Sequence, residues 1–215
     1  MSRRVAVMIL LAVTLSSGVA RAAQDECSVM IGMSQVRNVF QGARTAGLDT
    51  TRWFLHWSPG LSLGSWADPS SVGWSSPKYE TTGPTSLAST CQYPTHASFG
   101  FDPATGSGVT MQTALDAVLA NIKNEYPTIQ TADFWLLVGN DNHDRCLLNG
   151  RYVKAADIHR NSYSTWQSYV TAGLVTLGPD LHVACPDGWR DVKGHLSTTG
   201  SLVAGTAWLA YETAR

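Results

Sequence analysis

Residues 27–47 read CSVMIGMSQVRNVFQGARTAG, and the change of period inside this stretch decides the fold. Cys27 to Gly32 is a short apolar run of the kind that forms a buried strand. Gln35 to Ala46 follows as a helix, which Gly47 breaks. Working outward, Thr51 to Leu55 (TRWFL) is β-branched and aromatic, a second strand. Ser58 to Thr95 is irregular and dense in Ser, Gly, Pro and Trp. Trp53, Trp57, Trp66, Trp74 and Cys91, in or beside it, argue that it is ordered. A third strand is expected at Ala97 to Phe101, and a helix at Met111 to Tyr126 with Met111, Leu115, Val118, Leu119 and Ile122 at helical spacing. Asp133 to Val138 (DFWLLV) is the clearest strand and ends at Gly139-Asn140-Asp141. A helix from about 153 to 172, a short strand from Leu181 to Ala184 and a final helix from Ser201 to Thr213 complete the series. In that last helix Leu202, Val203, Thr206, Leu209 and Ala210 are expected to face inward. Strands alternating with helices predict an α/β domain whose central parallel sheet is covered on both faces. Chemistry in such sheets sits beyond the carboxyl ends of the strands.

The flanks bound the problem. Arg3 and Arg4 precede an apolar run from Val5 to Val13, and Ala20-Arg21-Ala22 fits a small-x-small cleavage site. Residues 1–22 are therefore expected to be a secretory signal peptide, leaving 23–215 as one domain of 193 residues, enough for a real core. No later segment approaches the roughly 18 uninterrupted apolar residues of a spanning helix. Without Arg3, Arg4 and Arg21, twelve basic residues face sixteen acidic ones, a net charge of −4 with histidines neutral. No basic run is visible, so neither nucleic acid nor an anionic membrane is expected as a partner, and the chain is expected to act as a monomer. Cys27, Cys91, Cys146 and Cys185 all follow the cleavage site, and an even count in an exported chain suggests two disulfides. Cys27–Cys91 with Cys146–Cys185 is the expected pairing, since each bridge then ties an irregular insertion to a core strand. Localisation is expected to be extracellular or periplasmic.

Three short blocks at strand ends carry the chemistry. Ser34 follows the first strand, Asn140 follows Val138-Gly139, and His195 precedes the last helix, with Asp191 upstream of it. A serine hydroxyl needs a neighbouring base, and an imidazole that is mostly neutral at pH 7 can serve. The expected catalytic set is Ser34 as nucleophile, His195 as base and Asp191 as the acid that orients the ring; Asp187 or a backbone carbonyl is the alternative orienting group. The oxyanion would be met by the Ser34 N–H, the Asn140 amide and a glycine N–H, for which Gly100, Gly106 and Gly108 compete. His143, beside Asn140, is expected to line the cleft, as are His159 and His182 more weakly. Trp57, Trp66 and Trp74 are expected to be exposed and to touch substrate, whereas Trp135 and Trp208 belong to the core. Asp141, Asn142 and Asp144 lack the twelve-residue calcium pattern, and no C-x-x-C is present, so no metal or cofactor is expected.

On these blocks the chain resembles the SGNH (GDSL-type) hydrolase family over nearly the whole of 23–215. Gly32-Met33-Ser34 stands at that family's Gly-x-Ser turn, Asn140 at its oxyanion asparagine, and His195 in HLSTTG (195–200) at its catalytic histidine. Two positions depart from the pattern: Met33 replaces an acidic or polar residue, and Asp191 lies four residues before the histidine rather than three, where Val192 stands. The resemblance implies a flavodoxin-like α/β/α sandwich and ester hydrolysis through an acyl-serine, with no metal needed. The leading expectation is a secreted carbohydrate O-acetylesterase acting on an ester substrate such as an acetylated polysaccharide. A small-ester or lipid esterase is the second reading. A non-catalytic carbohydrate-binding module on the same fold is the rival from another class.

Overall fold

A computed structural model describes residues 27–81, 91–101, 108–136, 176–177 and 195–214. The expected leader, the helix at 153–172 and the strand at 181–184 lie outside the described residues, as do Cys146 and Cys185. The described residues build an α/β domain around one six-stranded sheet. In chain order its elements are β1 (Ser28–Gly32), α1 (Ser34–Thr45), β2 (Trp53–Trp57), α2 (Leu63–Ala67), α3 (Val72–Ser75), β3 (Lys78–Glu80), β4 (His96–Phe101), α4 (Met111–Glu125), β5 (Thr131–Leu136), β6 (Thr176–Leu177) and α5 (Thr198–Thr213). Across the sheet the order is β3-β2-β1-β4-β5-β6; among the described strands only β3 runs antiparallel to its neighbour, along the β2 edge. From β1 the chain moves outward to β2 and then returns to β4 on β1's other side. The order therefore reverses between β1 and β4, and in open α/β sheets it is beyond the carboxyl ends at such a reversal that ligands bind.

The two-residue period of the strands sorts side chains into two apolar layers. Val29, Ile31, Phe54, Phe99 and Phe134 pack with α4 and α2 on one face, and Met30, Leu55 and Trp135 pack with α1 and α5 on the other. As expected, Trp135 and Trp208 are core residues; both donate their indole N–H to the buried Ser98 hydroxyl, at 2.9 and 3.0 Å. The expected Cys27–Cys91 bridge is present and ties the start of β1 to the segment ahead of β4.

Four expectations are corrected. β2 begins at Trp53 rather than Thr51, because the Asp49 carboxylate accepts from both the N–H and the hydroxyl of Thr51 and holds that residue in a turn. β5 likewise starts two residues early, at Thr131. In α5 the inward face is Gly200, Ala204, Gly205 and Trp208; Leu202 and Val203 are 40% and 38% exposed, Thr206 and Ala210 are exposed, and Leu209 is half-buried. The cause is how closely α5 meets α1. A Cβ at Gly42 would fall 1.7 Å from the Ser201 carbonyl oxygen, and one at Gly205 would fall 2.1 Å from the Ala43 nitrogen. Large aliphatic residues are excluded from that seam. The fourth correction is to Trp66 and Trp74, which are buried, not exposed. The Trp74 indole donates to the Trp66 carbonyl at 2.8 Å, and the Asn121 amide of α4 donates to the same carbonyl at 3.1 Å. Residues 58–81 of the insertion are held because their tryptophans enter the core, where removing such a ring costs about 3–5 kcal/mol.

Candidate active site

Ser34 is the first residue of α1 and lies directly beyond the carboxyl end of β1. Gly32 makes this turn possible: a Cβ there would meet the Gly100 carbonyl at 2.3 Å and Val36 at 2.5 Å. Met33, in extended conformation at the N-cap, offers no side-chain acceptor, so α1 does not use a cap on its first N–H groups. The Ser34 N–H is one of those donors, at the positive end of the helix dipole.

His195 reaches the same place from the other end of the chain. Leu196 is buried beside Met33 and Val36 in the α1–α5 layer, and Ser197 caps α5 by accepting from the Gly200 N–H at 3.2 Å. Between these anchors and Ser34 the imidazole is half-buried, and His195 Nε2 lies 3.4 Å from Ser34 Oγ. The two residues are 161 positions apart in sequence. The contact is long for a hydrogen bond, as nucleophile–base contacts often are before substrate arrives. With Nε2 turned to the hydroxyl, Nδ1 is the ring nitrogen that faces away from Ser34.

Asp191, Asp187, Asn140, His143, Gly106, His159 and His182 lie outside the described residues. Gly100 is inside β4, in register with Gly32 and Trp135, and a Cβ there would strike the Trp135 ring at 2.4 Å. Packing accounts for that glycine. Gly108 is on the exposed turn entering α4, with φ at 78°. Of the three tryptophans assigned to substrate, Trp57 alone is at this rim, in register with Gly32 and half-buried. Its ring has the Arg37 guanidinium 4.8 Å away and the Lys78 ammonium 5.1 Å away, and Arg37 is itself paired with Glu80.

One residue of the arrangement was not anticipated. Asn38, one helical turn after Ser34, donates its side-chain amide to the Leu196 carbonyl at 3.0 Å. It ties the serine's helix to the backbone next to the histidine. A polar residue four positions after the serine, on the same helix face, was the available signal.

Two other histidines are placed for different work. His56 is fully buried on the α4 face; its Nε2 must donate to the Gly73 carbonyl at 2.7 Å, so its Nδ1 accepts from the Tyr126 hydroxyl at 2.5 Å. Burial lowers its pKa to about 4 against the opposing pull of the Gly73 carbonyl. His96 lies at the opposite, amino-terminal rim. Burial works to lower its pKa, but Asp133 and Glu212 outweigh that and hold it above the usual histidine value.

Comparison with models of known protein families finds no match, and comparison with curated proteins finds no similar sequence. No helix among the described residues is long and apolar enough to cross a membrane.

Proposed function

We propose that this protein is a serine ester hydrolase that works through an acyl-serine at Ser34. The observation that carries the reading is the 3.4 Å approach of His195 Nε2 to Ser34 Oγ at the carboxyl rim, beside the point where the strand order reverses. Ser34 Oγ attacks the ester carbonyl while its proton passes to His195 Nε2. The tetrahedral oxyanion forms next to the N-terminus of α1, where the Ser34 N–H can donate to it. Collapse expels the alcohol, which takes the proton from His195. Water then attacks the acyl group with His195 again as base; the acyl–Oγ bond breaks, His195 returns the proton to Ser34 Oγ, and the carboxylic acid leaves.

The parallel strands support a flavodoxin-like sandwich, because in order of appearance they lie 2-1-3-4-5 across the sheet. On this reading, and by the resemblance to SGNH hydrolases, Asn140 is the second oxyanion donor and Asp191 the group at His195 Nδ1. Short-chain carboxylic esters are the substrate class, with carbohydrate O-acetyl esters the first to try, since Trp57 and Lys78 lie on the same rim as Ser34. The carbohydrate-binding alternative loses two of its three tryptophans to the core. The test is hydrolysis of a short-chain ester reporter together with labelling by a fluorophosphonate. Hydrolysis and labelling that both vanish in Ser34→Ala and in His195→Gln support the proposal. Equal slow hydrolysis by wild type and Ser34→Ala, with no labelling, refutes it.

A further inference from the structure

At the amino-terminal rim three ionisable side chains from three elements converge. His96 opens β4, Asp133 lies in β5, and Glu212 is in the last turn of α5. The Asp133 side chain is 0% exposed and that of Glu212 is 6% exposed. Carboxylates at that depth are costly unless balanced by positive charge. Within this trio a protonated imidazole balances one of them, whereas a dication with a neutral imidazole balances both.

The spacing has the same character. His96 Nε2 is 3.4 Å from Asp133 Oδ2 and 3.6 Å from Glu212 Oε2, and the three donor atoms all lie within 4.8 Å of one another. With metal–nitrogen and metal–oxygen bonds of about 2.0–2.2 Å, neighbouring donors around a tetrahedral ion are about 3.3–3.6 Å apart. Two edges of the triangle are already at that length. The third joins two carboxylates that repel each other, and an ion between them would draw it in. Around the ring, His96 Nδ1 is 2.9 Å from Thr131 Oγ1, the outer contact that fixes an imidazole ligand with Nε2 facing the metal, and Trp53 packs edge-on at 5.8 Å. A groove of about 650 Å³, lined by His96, Thr131, Trp53 and Glu212 among others, gives a route from solvent.

We propose that His96, Asp133 and Glu212 form a binding site for a divalent transition-metal ion, Zn²⁺ foremost, which clasps the end of α5 to the sheet. One nitrogen and two oxygen donors suit such an ion, with a fourth position facing the groove. Glu212 lies fifteen residues beyond Ser197, about 22 Å along the helix axis, so the site is separate from Ser34 and does not depend on the esterase reading.

The experiment uses the full chain, stripped with a chelator and dialysed, and titrated calorimetrically with ZnCl₂, MnCl₂ and CaCl₂. One Zn²⁺ per chain is expected, with Tm raised by about 5–10 °C at a hundredfold excess over Kd. Co²⁺ should quench tryptophan fluorescence, and Trp53→Phe should remove much of that quenching. Glu212→Gln preserves the volume of the side chain and should weaken Zn²⁺ at least tenfold, while Ser34→Ala should bind as wild type does. The inference is overturned if wild type shows neither heat nor a Tm shift at 1 mM Zn²⁺, the cluster then being an ion pair alone. Undiminished Zn²⁺ affinity in a folded Glu212→Gln would also overturn it, as would binding of Ca²⁺ only.

Discussion

The two rims of this sheet each bring a histidine to residues far away in sequence, yet they are built in opposite ways. At the carboxyl rim, Ser34 and His195 are half-buried at element ends, one the first residue of a helix and one ahead of a helix cap. At the amino rim, His96 and Asp133 are strand residues, Glu212 is helical, and both carboxylates are withdrawn from solvent. The first arrangement leaves an imidazole nitrogen facing a half-buried hydroxyl. The second commits its imidazole to charged neighbours. A histidine is therefore read by what its ring nitrogens face: the carboxyl rim is suited to passing a proton, the amino rim to holding charge and bracing the fold.

The largest expected effect separates the rims outright. Ser34→Ala should lower kcat on a short-chain ester by about 10³–10⁴-fold, the scale on which a triad member acts. Its Tm should stay within about a degree of wild type, because the half-buried hydroxyl is lost without a cavity. A matching loss of kcat and of Tm would mean that the serine is structural and that the contrast between the rims is false.

The next effect belongs to the amino rim. The Cys27–Cys91 bridge spans 64 residues and anchors the strands at the end away from Ser34. Closing a loop of that length restricts the unfolded chain enough to add about 4 kcal/mol of stability. Cys27→Ala with Cys91→Ala should lower the unfolding free energy by that amount, measured by urea denaturation. The kcat per folded molecule should stay within about twofold. A collapse of kcat in protein shown to be folded would mean that the two ends of the sheet are mechanically coupled.

What could be read without coordinates follows a physical line. β1 and α1 were legible because a buried strand and an amphipathic helix leave different periods, and a serine between them has only one rim to occupy. Ser34 and His195 were legible as a pair because both fall at element ends, which a parallel sheet collects on one side. The inward face of α5 was misread because hydrophobicity marks Leu202 and Val203, whereas the α1 crossing admits only the small face at Gly205. Trp66 and Trp74 were misread because a Ser/Gly-rich neighbourhood implies solvent, and nothing local reveals that Asn121 of α4 reaches the Trp66 carbonyl, to which the Trp74 indole also donates. The His96–Asp133–Glu212 cluster was invisible for a deeper reason. It depends on the register that sets Ser98 opposite Asp133 and on where α5 ends, and both are properties of the assembled sheet.

A third histidine sharpens the contrast in acid. His56 lies beside Ile31 near the carboxyl rim but points into the α4 layer, where burial holds its pKa at about 4 against 6.5 for an exposed imidazole. Between those values the unfolded chain binds a proton that the folded chain refuses, so stability is present above pH 6.5 and is lost as pH falls toward 4. The loss attributable to this group is about 3 kcal/mol. Carboxylates titrate in the same window, so the measurement is a difference. Urea denaturation at pH 7 and pH 4 should show a smaller acid loss for His56→Gln than for wild type. Parallel losses in the two proteins would mean that His56 is protonated in the fold.

The smallest expected effect probes how the carboxyl rim is held. Asn38 contributes one amide-to-carbonyl bond, from α1 to Leu196, and so fixes the backbone from which His195 projects. Asn38→Ala should cost about 1 kcal/mol of stability, the usual net value of one such bond. A merely structural residue would stop there. A positioning residue should also reduce kcat, by about tenfold with KM little changed, because the imidazole then samples orientations in which Nε2 no longer faces the hydroxyl. Asn38→Asp is the discriminating partner: a carboxylate cannot donate to the Leu196 carbonyl, so it should lose kcat as the alanine variant does although it keeps the side-chain volume. If Asn38→Asp retains wild-type kcat, the half-buried rim orients its histidine through Leu196 packing alone, and the asparagine bond is incidental.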